Sequence, residues 1–152
     1  MLNQEMASVI HYILGKIGEI KPYYNEIPEG FRLPAVYFPP PGISSRGDTL
    51  SSYALGYTWL IRFYHEDTPS AYNLGLPALE AIQGTRGLIP LIDETGADTG
   101  RCFRVNNPAL HRTDGKIGLA QLELSWDSPR LYDERDYQKI AKVNWTIKKV
   151  RG

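Results

Sequence analysis

An α+β fold is predicted, with a mostly antiparallel sheet covered by an N-terminal helix and a second helix that follows a long central strand. Three observations carry that prediction. Residues 52–67, SYALGYTWLIRFYHED, alternate strictly, with Tyr53, Leu55, Tyr57, Trp59, Ile61 and Phe63 on one face and Ala54, Gly56, Thr58, Leu60, Arg62 and Tyr64 on the other. Such period-two alternation in aromatic and β-branched residues marks a strand with one buried face. Upstream, Leu2, Met6, Val9, Ile10, Ile13, Leu14, Ile17 and Ile20 recur at spacings of three and four, the stripe of an amphipathic helix. Downstream, Thr68-Pro69 opens a second helical stretch, since Thr can cap a helix and Pro suits its first turn.

In chain order, the first helix is expected over residues 2–20, weakened by Gly15 and Gly18 and stopped by Pro22. Asn3, Gln4, Glu5, Ser8, His11, Lys16 and Glu19 fall mainly off its apolar stripe. Residues 21–30, KPYYNEIPEG, read as a short extended piece closed by a Pro28/Gly30 turn. Residues 33–38, LPAVYF, form a short strand that Pro39, Pro40 and Pro41 end. Residues 43–48, ISSRGD, read as a polar loop leading into the long strand. The second helix covers residues 68–84, with Ala71, Leu74, Ala78, Ala81 and Ile82 toward the core and Gly84 as its C-cap. Pro77 inside it predicts a kink or a junction of two short helices.

Residues 87–93, GLIPLID, carry Pro90 and so read as an edge strand or irregular run. A polar turn follows at residues 94–100, then a strand from 101 to 110. Thr113-Asp114-Gly115-Lys116 is a hairpin signal, because Asp-Gly suits the left-handed backbone of a two-residue turn. Residues 117–127 alternate as a half-buried antiparallel strand, which Ser128-Pro129 is expected to break. Residues 131–139 are charged and leave a short helical turn open. Residues 141–150 alternate again through Val143, Trp145 and Ile147 and predict a final strand.

The 152 residues suit a single domain. Lys plus Arg equal Asp plus Glu at 17 each, which argues against whole-protein attraction to nucleic acid or an anionic membrane and leaves little self-repulsion between copies. The lone Cys102 rules out an intrachain disulfide and a multi-cysteine metal site, and is expected to be a buried small hydrophobe. No apolar run reaches 18 residues, and no signal peptide is visible, so synthesis in the cytoplasm is expected.

Chemistry-bearing motifs are sparse. His11, His65 and His111 stand too far apart in sequence for the usual zinc spacing, and His65-Glu66-Asp67 reads as a solvated strand end. The acidic run Asp93, Glu94, Asp98 lacks the ligand spacing of a calcium loop. No nucleophile elbow or phosphate-binding loop is present. The tripeptide Arg46-Gly47-Asp48 stands in a chain without a visible secretion signal, which argues against cell adhesion. The C-terminal lysines around Trp145 could meet nucleic acid, but Trp145 is in phase with the core side of its strand, so they read as a solvated edge.

The stretches KPYYNEIPEGFRLPAVYF and SYALGYTWLIRFYHEDTPSAYNLGLPALEAI resemble the tail terminator (tail completion) proteins of tailed bacteriophages and related prophage elements. The matching residues are Tyr24, Glu26, Pro28, Glu29, Gly30, Phe31 and Pro34, then Tyr57 through Phe63, Thr68 and Pro69. The resemblance implies a non-enzymatic virion protein of the tail, with no cofactor and no metal, that forms a homo-hexameric ring. It implies the tail tube protein and the head–tail connector protein as partners, no membrane, and nucleic acid only by passage through the ring. On this reading residues 44–52 and 94–101 contact the tube or the neighbouring copy, with Ser44, Ser45, Arg46, Asp48, Glu94, Asp98 and Arg101 at the interface. Another neck or minor tail protein, and a small metabolite-binding enzyme, remain the alternatives.

Overall fold

A computed structural model describes residues 3–112 and 118–133. The predicted turn at 113–116 and the final strand at 141–150 lie outside the described residues. Those described fall into two compact units, one from residues 3–42, 57–112 and 118–126 and the other from 43–56 and 127–133. In chain order the elements are α1 (Gln4–Ile17), β1 (Lys21–Tyr24), β2 (Ala35–Phe38), β3 (Gly42–Gly47), β4 (Ser52–Tyr64), α2 (Thr68–Gly84), β5 (Leu88–Ile92), β6 (Asp98–Arg104), β7 (Asn106–Arg112) and β8 (Leu119–Leu131).

The larger unit holds the expected α+β architecture. Its sheet runs β1-β2-β4-β8-β7. β1 and β2 pair in parallel from Lys21 opposite Ala35 to Tyr24 opposite Phe38. The β2–β4 and β7–β8 pairs are antiparallel. β7 and β8 flank the predicted hairpin turn and pair from Arg112 opposite Ala120. From residue 57 onward β4 alternates as the sequence predicts: Tyr57, Trp59, Ile61 and Phe63 are buried, while Thr58 and Leu60 are exposed.

Both helices cover that buried face. Asn3 at the N-terminus of α1 donates to the Tyr57 hydroxyl at 2.8 Å. On α2, Gly75 lies so near Phe63 that a Cβ there would stand 2.9 Å from the ring. Tyr12 of α1 donates from its hydroxyl to the Ala81 carbonyl of α2 at 3.0 Å. The core closes on aromatics: Tyr57 stacks on Trp126 at 5.0 Å between centroids, and Trp59 and Phe103 tilt against the same indole. Trp59 donates its indole N–H to the Pro39 carbonyl, which gives the proline run a second role beyond ending β2.

Local chemistry corrects several element boundaries. α1 ends at Ile17, not at Pro22, because Gly18 takes φ +80° and turns the chain out of the helix; Pro22 instead sits within β1. Asn3 caps α1 by accepting from the Met6 N–H at 2.7 Å. Ser8, off the predicted stripe, is buried; it donates to the Gln4 carbonyl and accepts the Ile92 N–H at 3.0 Å. Asp67 rather than Thr68 caps α2, accepting from the Ser70 N–H at 2.8 Å. Thr68 accepts from the Gly118 N–H instead.

α2 runs unbroken through the exposed Pro77 and closes on Thr85 rather than Gly84, with Gly75 buried where Leu74 was expected and Leu74 half-buried. The single strand expected at 101–110 is two, β6 and β7, which belong to different sheets. Val105 parts them and donates its N–H to the Gly87 carbonyl at 2.8 Å. β8 passes through Ser128-Pro129 without a break, with Ser128 buried and Pro129 exposed.

Candidate functional site

Residues 44–52 and 94–101 are both hairpin segments. In the smaller unit, Ser44, Ser45 and Arg46 lie on β3, and Asp48 begins the turn that returns the chain into β4. The polar loop expected at 43–48 is therefore a strand. Six residues without proline, paired with β4, satisfy their backbone groups better than a loop would. The turn is closed by the Asp48 and Thr49 N–H groups donating to the Ser52 carbonyl, and by the Thr49 and Ser52 hydroxyls at 2.6 Å.

Arg46 is committed within this unit. Its Nη1 and Nη2 reach the two carboxylate oxygens of Asp127 at 3.0 Å each, a bidentate fork. That fork holds the Asp127 carboxyl below the ordinary carboxylate range, chiefly by the hydrogen bond and then by charge. The guanidinium is raised in turn by the same bond. Gly56 makes room for this arrangement, since a Cβ there would meet Ser44 Oγ at 2.9 Å. Tyr53 and Tyr132 pack at 5.3 Å between centroids, and with Ser45, Arg46 and Gly47 they line an open depression of about 410 Å³.

The phase of β4 changes at this point. Ala54 is buried while Tyr53 and Leu55 are half-buried, the reverse of the prediction. Apolar side chains stand out of the same unit: Leu50 at the hairpin tip is 94% exposed, Leu131 80% and Ile43 57%. The sequence marked this segment as a polar loop and assigned no contact role to Leu50, Asp127 or Tyr132. Leu50 carried a signal, an apolar residue amid polar turn residues. Asp127 carried none, because its partner stands 81 residues away.

In the larger unit, Glu94 sits in the β5–β6 turn, Asp98 opens β6 and Arg101 lies within it, all exposed. The turn is organised by Asp93, whose Oδ1 accepts from the Thr95 N–H and hydroxyl and from the Ala97 N–H at 2.6–3.1 Å. These bonds hold the Asp93 carboxyl below its ordinary value, the Thr95 hydroxyl contributing most. Asn3, Gln4, Asp93, Glu94 and Thr95 border a concavity of about 700 Å³. Gln4 donates to the Ile92 carbonyl at 3.0 Å, tying α1 to this hairpin.

Cys102 is exposed, contrary to the expected burial, because β6 is an outer strand with Cys102 opposite Pro90 in the two-stranded sheet. His11 is exposed on α1, His65 accepts the Glu66 N–H at its own Nδ1, and His111 lies 3.4 Å from the Gln121 amide. Among the described residues no group of three His, Cys, Asp or Glu side chains could hold a metal ion. No described helix is long and apolar enough to cross a membrane. What both hairpins offer is polar, charged and apolar contact surface.

No protein-family model matches the chain. It is 32% identical over 139 residues to the uncharacterized protein YqbJ of Bacillus subtilis (strain 168), an alignment that spans 91% of this chain and 93% of YqbJ. The chain belongs to the YqbJ family. It is also 27% identical over 143 residues to the phage-like element PBSX protein XkdJ of the same organism, spanning 94% of this chain and 96% of XkdJ. Both alignments span more than nine-tenths of this YqbJ-family chain and of the relative.

Proposed function

We propose that this YqbJ-family chain is a prophage structural protein that acts as a tail terminator: it caps the finished tail tube as a ring, ends tube polymerisation and offers the surface to which the head joins. The observation that supports this most is the full-length similarity to XkdJ, a protein of a phage-like element. It agrees with the family resemblance of the Tyr24–Pro34 and Tyr57–Pro69 residues. The protomer supplies what such a role needs, a packed α+β core carrying two surface hairpins. A ring requires a heterologous interface that closes. The proposed partners are further copies of itself, the tail tube protein and the head–tail connector protein, and the role is non-catalytic.

The hairpin residues Ser44, Ser45, Arg46 and Asp48, and Glu94, Asp98 and Arg101, are the proposed contacts. The test is light scattering across a concentration series, with electron micrographs of the protein alone and mixed with growing tail tubes. The expected result is a six-membered ring with a central hole, free or at tube ends, and tubes that stop lengthening. Tubes that keep growing with no ring at their ends would overturn the reading. Shortening either hairpin should abolish ring formation or tube capping while the protomer still folds.

A further inference from the structure

We draw no further inference here: the strongest candidate, the proline-free outer side of β3 with exposed Ile43 on it and exposed Leu50 in the turn that follows, carries nothing because nothing among the described residues shows what covers it.

Discussion

Two glycines in helices make opposite demands. Gly75 is buried on α2, where a methyl group would come within 2.9 Å of Phe63 and 3.1 Å of Leu110. Phe63 is fully buried, so its ring cannot swing out to solvent without opening the core. Helix propensity favours Ala over Gly by roughly 1 kcal/mol, while overpacking a tight core costs about 1–3 kcal/mol. Gly75→Ala should therefore lower the denaturation midpoint. Gly15 on α1 is exposed with nothing within 4 Å of the added Cβ, so only the propensity gain remains. Gly15→Ala should raise stability by about 0.5–1 kcal/mol in urea unfolding; equal signs for the two variants would contradict the packing of α2 on Phe63. Asp93 makes a pH-dependent contribution. Its carboxyl is depressed in the folded state, so the stabilisation is present above the ordinary value of 3.8 and is lost as pH falls through the lower folded value. Asp93→Ala should melt below the wild type at neutral pH, and the gap should close on acidification below 3.8. A gap independent of pH would assign the loss to the turn backbone rather than to the carboxylate.

At the scale of elements, α1 is tied down by polar contacts more than its apolar stripe reveals. Ser8 is 1% exposed and is the acceptor for the Ile92 N–H of β5. Ser8→Ala removes the acceptor of that half-buried N–H, at a cost of about 0.5–1.5 kcal/mol in urea unfolding for one lost hydrogen bond. Asn3 serves two elements, capping α1 and donating to Tyr57 of β4. Asn3→Ala should cost about 1–3 kcal/mol by combining a lost cap with a lost side-chain bond. Asn3→Ser keeps a cap but is too short for the Tyr57 hydroxyl, so urea unfolding should place it between the wild type and Asn3→Ala. These contacts mark where sequence reading stops. The buried face of β4 from Tyr57 to Phe63 was legible, because period two against a helical cover leaves one solution for a sheet with one covered face. The span of α2 was legible from its composition, although Asp67 rather than Thr68 took the cap. β3 was not, because a short run of Gly, Ser and Arg carries no hydrophobic periodicity; only its pairing with β4 makes it a strand. The division of residues 98–112 into β6 and β7 was equally silent, since the partner of Val105 is Gly87, which takes φ +82° far upstream. For the proposed contact residues, the sequence marked a polar loop at 43–48 and a polar turn at 94–100, but it could not show that Arg46 is held by Asp127 or that Asp93 organises the turn bearing Glu94.

At the scale of the whole molecule, zero formal net charge leaves little repulsion between copies, so the proposed ring would depend on local surface rather than on the overall field. The two hairpins offer different surfaces for that. The β5–β6 turn is polar and holds itself together through Asp93. The β3–β4 hairpin carries an apolar tip in Leu50, which is 94% exposed and gains almost nothing from the fold of its own chain. A surface leucine with so little burial should be replaceable at under about 0.5 kcal/mol of protomer stability. Burial of the same side chain in a contact with another protein would be worth about 1.5–3 kcal/mol per copy, or tenfold and more in each contact's affinity. On the proposed tail-terminator role, with residues 44–52 as a contact segment, Leu50→Ser separates folding from assembly. Its melting temperature should match the wild type, while ring formation or tube capping should need at least tenfold more protein. Unchanged assembly by Leu50→Ser would remove the hairpin tip from the proposed interface. Glu94→Ala with Arg101→Ala would then test the polar hairpin in the same assay.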